Sequence, residues 1–186
     1  MVMKIAITGH KHGIGKAFAE QLSARGHEII GISRSEGENI RRITHTTNLI
    51  EPCDLFINNA QSMFAQTELL YAVWEKWAKG EKKWIWNIST MMTESPINTT
   101  PAGYTDTDMS RYRIQKLALE QSSKQLQHKR SWPKISIIRP GQVNTQGHGG
   151  EDVNIWVKSV IDTFSNHQNI HVSELSFGHI AQRIPI

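Results

Sequence analysis

The sequence predicts the α/β class: a doubly wound, mostly parallel sheet in three α/β/α layers, formed by one domain over residues 1–186. Three observations predict it. Short apolar strand segments alternate with amphipathic helical ones, and such alternation requires crossover connections that make neighbouring strands parallel. A glycine-rich turn, Thr8-Gly9-His10-Lys11-His12-Gly13-Ile14-Gly15, falls between the first strand and the first helix. The chain's 186 residues suffice for one domain with its own core and are too few for two.

Residues 3–8 form the first strand, and residues 15–25 a helix with Ile14, Phe18 and Leu22 on one stripe and Gly26 as its stop. EIIGIS (28–33) is a second strand. DLFIN (54–58) is another, with the continuous apolar character of a strand buried on both faces. A helix over 67–79 leads into a strand over 84–88. A long helix over 108–127 precedes the strand KISII (134–138), which ends at Pro140-Gly141. Residues 152–164 are the last helix and 170–175 the last strand. Two regions break the alternation. Residues 36–52 offer only 40–43 as a short strand, and 91–107, polar and rich in threonine, reads as a long functional loop.

The composition is that of an ordinary globular protein, with 38% hydrophobic and 20% charged residues. Apolar stretches are too short to span a bilayer, and the start runs directly into a strand with no cleavable apolar segment. Cys53 is the sole cysteine, which excludes an internal disulfide framework and fits a reducing, cytoplasmic setting. The formal charge of +4 is concentrated between Arg111 and Arg139, where eight Lys and Arg face one acid, Glu120. This run reads as a solvated helix face followed by a basic loop, with attraction for a polyanionic cofactor as the other reading. The sequence carries no zinc-finger, RNP-type or KH-type pattern, so nucleic acid is not the expected partner. His10 and His12 complete no metal-binding shell with cysteines or acids.

The glycine turn has a specific chemistry. Gly9, Gly13 and Gly15 permit a tight turn and close approach of the backbone to a pyrophosphate, and the following helix start presents free N–H groups to an anion. The expected role is the dinucleotide site of a Rossmann-type fold, to which Lys11, His12 and Ile14 also belong; a purely structural turn between strand and helix is the other reading. The end of the second strand reads Ser33-Arg34, with no carboxylate before Glu36. An acid there accepts a ribose 2′-hydroxyl, whereas an arginine accommodates a 2′-phosphate, so NADP(H) is expected over NAD(H).

Tyr112 and Lys116 stand four residues apart on the long helix and share a face. A nearby ammonium favours phenolate, so such a tyrosine can exchange a proton with an alkoxide or alcohol at neutral pH. The spacing alone is common. Its weight comes from the order of motifs: the glycine turn, Asn58-Asn59-Ala60, Asn87-Ile88-Ser89-Thr90, Tyr112 with Lys116, then Arg139-Pro140-Gly141. In this order the chain resembles the short-chain dehydrogenase/reductase family from about Lys4 to Thr145, as a shortened member. Thr8, Gly9, Gly13 and Gly15 match that family's glycine signature in full. Asn58, Asn59 and Ala60 match its Asn-Asn-Ala-Gly, with Gln61 in place of the glycine.

The resemblance implies hydride transfer between NADPH and a carbonyl or alcohol, with Tyr112 as general acid/base and Lys116 supporting it and the nicotinamide ribose. It places Asn59, Ala60, Pro140, Gly141, Val143 and Thr145 beside the cofactor. Thr90 is the expected substrate-positioning hydroxyl, with Ser89 as the alternative. The gap from Thr90 to Tyr112 exceeds the usual one. The family's catalytic asparagine has no counterpart, although Ser62 and Gln66 lie near its place. The lid segment (147–152) is short and carries His148 among glycines, and only one helix follows it. Trp74, Trp77, Trp84 and Trp86 are expected to pack the elements that carry them, and a homo-oligomer is compatible with the composition. The alternative function is a catalytically silent NADP(H)-binding sensor or regulator with the same fold.

Overall fold

A computed structural model describes residues 2–77, 82–94, 105–145, 149–167 and 169–178. Its main sheet has six strands in the order β2-β1-β3-β4-β5-β8, and every neighbouring pair is parallel. These are β1 (Lys4–Thr8), β2 (Glu28–Ile32), β3 (Leu55–Asn58), β4 (Trp84–Ile88), β5 (Lys134–Pro140) and β8 (Glu174–Phe177). Two short strands, β6 (Val143–Asn144) and β7 (Glu151–Asp152), pair with each other away from that sheet. Helices α1 (Gly13–Ala24), α2 (Ile43–Ile50), α3 (Ala65–Lys76), α4 (Asp106–Lys129) and α5 (Val153–Asn166) cover its two faces.

Strand alternation divides the core between those faces. Ile5, Ile7, Leu55, Ile57, Trp86 and Ile88 pack with Phe18 and Leu22 of α1 and with Trp156, Val157 and Ile161 of α5. Ala6, Phe56, Ile85 and Ile135 face the other way, onto Leu69 and Val73 of α3 and Leu119 and Leu126 of α4. The tryptophans pack as expected: Trp77 is fully buried, and Trp86 stacks on Phe164 with centroids 4.2 Å apart.

The strand expected over 40–43 is not formed. Ile43, Thr47 and Ile50 recur at helical spacing, and Thr46, Thr47 and Ile50 are buried on one side of α2. The Leu55–Asn58 strand is therefore the third, and the strand order reverses between β1 and β3. The last strand lies at Glu174–Phe177 instead of 170–175. Asp106 rather than Asp108 begins the long helix, because Thr105 caps it: the Thr105 hydroxyl accepts from Asp108 N while the Asp108 carboxylate accepts from Thr105 N. The loop expected over 91–107 opens with a short 3-10 turn, Met91–Thr93. Most of the rest of that loop, 95–104, lies outside the described residues, as does His148.

Candidate active site

The carboxyl ends of β1 and β3 diverge at the switch point, and the glycine turn fills the gap. Gly9 has φ +73° and Gly13 φ +51°, values that an L side chain resists. A Cβ on Gly15 would lie 2.3 Å from Gly9 O, so this glycine lets α1 close onto the strand end. Thr8 ties the switch point together. Its hydroxyl accepts from Asn59 N and Ala60 N, each at 2.9 Å, and Asn59 Nδ2 donates to Thr8 O at 2.9 Å. Thr145 comes back from β6 to rest on the turn, where a Cβ on Gly13 would be 3.2 Å from its methyl group. His12, the N-cap of α1, supplies no side-chain hydrogen bond to the first turn. The glycine turn leads directly into this helix start, where first-turn N–H groups face outward, so the residues present fit a dinucleotide's pyrophosphate.

Ser33 and Arg34 reach the same end of the sheet, where Gly9 N donates to Ile32 O at 2.8 Å. Arg34 is exposed and makes no ion pair among the described residues. Lys11 does make one: its Nζ lies 2.6 Å from Glu36 Oε1, and His10 Nε2 lies 3.2 Å from Glu36 Oε2. The hydrogen bond from Lys11 holds the Glu36 carboxyl below the usual range. In the sequence Glu36 is only the first carboxylate after the second strand; the turn after β2 carries that acid back against the glycine turn.

Across the sheet, α4 presents Tyr112, Lys116, Glu120 and Ser123 along one side, at intervals of roughly one helical turn. Lys116 is buried, and its Nζ donates to Ile88 O at 2.7 Å and Gln66 Oε1 at 2.9 Å. It lies 5.6 Å from the centre of the Tyr112 ring. Burial pushes the Lys116 ammonium down to about 7, with Glu120 pulling the other way.

The two candidate hydroxyls have different partners. Ser89 Oγ donates to Glu120 Oε1 at 2.5 Å, while Thr90 Oγ1 accepts from Met92 N at 3.3 Å. Glu120 is the anion around which this region is organised. Arg139 reaches it through Nε at 3.0 Å and Nη2 at 2.7 Å, and Thr93 Oγ1 lies 2.8 Å from its Oε1. Arg139 also meets Glu174 at 2.8 Å and Glu94 at 3.4 Å. Burial lowers the affinity of the guanidinium for its proton, and the hydrogen bonds to Glu120 and Glu174 more than reverse that. Beside it, Gly141 has no room for a side chain: a Cβ would come 2.9 Å from Gly178 Cα and 3.2 Å from Met91 Sδ. Pro140 and Gly141 thus end β5 beside Met91, at the mouth of this buried network.

The structure brings the predicted residues into two groups. Gly9 to Gly15, Ser33, Arg34, Asn59, Ala60 and Thr145 gather at the switch point. Ser89, Thr90, Tyr112, Lys116, Pro140 and Gly141 gather at the ends of β4 and β5. Sequence reading missed Glu120 as a site residue and treated it only as the one acid in a basic run. Its position, four residues beyond Lys116, was the available signal.

No family model and no curated protein sequence matches the chain. Solved structures do. A short-chain dehydrogenase from Streptomyces avermitilis superposes with TM-score 0.73 at 18% identity, over 96% of this chain and 89% of its own. A short-chain dehydrogenase from Burkholderia cenocepacia in complex with NADP gives TM-score 0.72 at 14% identity, over 95% and 88% of the two chains. The 3-alpha-hydroxysteroid dehydrogenase of a Pseudomonas species, complexed with NADH, gives 0.68 at 16% identity, over 94% of each chain. The chain has the α/β Rossmann-like fold of the short-chain dehydrogenases.

Proposed function

We propose that the chain is a shortened short-chain dehydrogenase/reductase, an NADP-dependent oxidoreductase acting on a small carbonyl or alcohol, with Tyr112 as its general acid/base. The observation that carries the reading is buried Lys116 set against Tyr112 and against the end of β4 that runs into Thr90, on the same sheet as a glycine turn that fits a dinucleotide. The nicotinamide, when bound, supplies or takes up the hydride. Tyr112 gives its phenolic proton to the substrate oxygen in reduction and recovers it in oxidation. The Lys116 ammonium, buried beneath the ring, favours the phenolate that this exchange leaves.

Thr90 is the hydroxyl assigned to the substrate. The Ser89 proton is committed to the buried Glu120 carboxylate, whereas Thr90 uses an acceptor lone pair on Met92 N and keeps its proton to donate. The preference for NADP(H) rests on Arg34, whose exposed guanidinium matches a 2′-phosphate. Neighbours of the same fold are found with NADP and with NADH, so the fold alone does not choose between them. Titrating the protein with NADPH and NADH, followed by fluorescence, tests the reading. Binding of NADPH more tightly than NADH supports it, and binding of neither rejects it.

No helix among the described residues is long and apolar enough to cross a membrane. Cys53, free and buried, is held as a thiol by burial, which pushes it up to about 11. A single-domain cytoplasmic enzyme, acting without nucleic acid or membrane and open to self-association, completes the proposal.

A further inference from the structure

Gln66 is 3% exposed at the start of α3, and its side chain lies between the ends of β3 and β4. Its Nε2 donates to Asn58 O at 2.6 Å and to Ile88 O at 3.1 Å, and its Oε1 accepts from Lys116 Nζ at 2.9 Å. Asn58 Nδ2 returns a bond to Gln66 O at 2.9 Å. Chemistry fixes the sense of this amide. Turned over, it would set an oxygen against two carbonyl oxygens and an NH₂ group against an ammonium.

We infer that Gln66 is a positioning residue: its carboxamide oxygen anchors Lys116 beneath Tyr112 and helps keep the buried lysine charged. The role in turnover rests on the function proposed above; the anchoring does not. An ammonium has three protons. Two are taken by Gln66 Oε1 and Ile88 O, which fixes how the ammonium sits beside the Tyr112 ring. The charged or titratable groups around Lys116 are few. Tyr112 and Glu120 come from α4 itself, with Arg139 of β5 behind Glu120. The nearer contributions of α3, β3 and β4 are neutral: the Gln66 and Asn58 amides and the Ile88 carbonyl. Against the desolvation that lowers the lysine stands the Glu120 charge one turn away, and the oxygens of Gln66 and Ile88 are the two that bond the ammonium directly.

The test needs no cofactor. The Lys116 side-chain resonances, identified by their loss in Lys116→Met, are followed by NMR against pH in wild type, Gln66→Met and Gln66→Leu. The wild-type midpoint is expected near the value of about 7. Both variants remove the carboxamide acceptor, so the midpoint falls, and Gln66→Met decides alone if Gln66→Leu does not fold. An unchanged midpoint in a folded variant overturns the inference, because a residue that only stitches β3 to β4 changes the melting temperature and not this titration. Where the wild type turns over a carbonyl, Gln66→Leu lowers kcat by about 10–100-fold, the worth of one charged hydrogen bond, with a smaller change in substrate KM. Failure of both cofactors to bind would remove the proposed function and leave the titration result standing by itself.

Discussion

Replacing Arg139 by Met would expose how much of the fold hangs on the Glu120 carboxylate. Both partners are buried, with side chains 4% and 5% exposed, and the guanidinium meets the carboxylate through Nε and Nη2. Methionine fills similar space but leaves Glu120, among the described residues, with the Ser89 and Thr93 hydroxyls as direct partners and Lys116 one turn away. Breaking a buried pair from one side costs about 3–5 kcal/mol, because the remaining charge is both desolvated and unpaired. For a chain of this length that corresponds to roughly 6–20 °C in Tm. The proper control is Arg25→Met. Arg25 pairs with Asp162 at 2.6 Å, but both side chains are 34% exposed and screened by water, so its loss should cost far less. Glu120→Gln should fall between, since Arg139 then keeps Glu174 and Glu94. Urea unfolding followed by tryptophan fluorescence measures all three. If Arg139→Met lost no more than Arg25→Met, the claim that this network organises the site would be wrong.

Three further outcomes are expected. Gly15→Ala drives a Cβ to 2.3 Å from Gly9 O, so the turn must shift; stability drops by about 1–3 kcal/mol and NADPH binding weakens, both measurable on one purified sample. Arg34→Ala raises the Kd for NADPH roughly tenfold or more and leaves NADH unchanged, and an equal effect on the two cofactors would remove Arg34 from the 2′-phosphate. His171 has its pKa lowered, by burial first, with Lys134 adding to the effect and a bond to Ile135 O opposing it. Above its unfolded value of about 6.5 both states are neutral; as pH falls below it the unfolded chain takes the proton first, so the folded state loses stability. His171→Gln should therefore melt with a smaller change in Tm between about pH 7.5 and about pH 5.5 than wild type does.

The parts of the fold legible in the sequence were those with an unmistakable local signature. LFIN of β3 has to be buried on both faces, and the glycine turn at 9–15 has little freedom to be anything else. The helix α2 was misread because ITHTTNLI is β-branched, and strand propensity hid a helical stripe that only the packing of α2 against α3 and the sheet makes evident. Of the residues that the motifs single out, Lys116 does lie against Tyr112 and the end of β4. What the motifs did not contain was the set of partners. Gln66 reaches Lys116, and Arg139 reaches Glu120, only because α3, α4 and β5 converge, and no spacing along the chain encodes a contact between residues 66 and 116. The same holds for Glu36, which tertiary folding returns to Lys11 across a turn.

The central claim is that Tyr112 transfers the proton that accompanies hydride transfer. A panel of aldehydes and ketones assayed by NADPH oxidation, with wild type beside Tyr112→Phe, tests it most directly. Tyr112→Phe is expected to bind NADPH as wild type does and to lose about 10²–10⁴-fold in kcat on every carbonyl that wild type reduces. Equal rates in the two proteins would contradict the account.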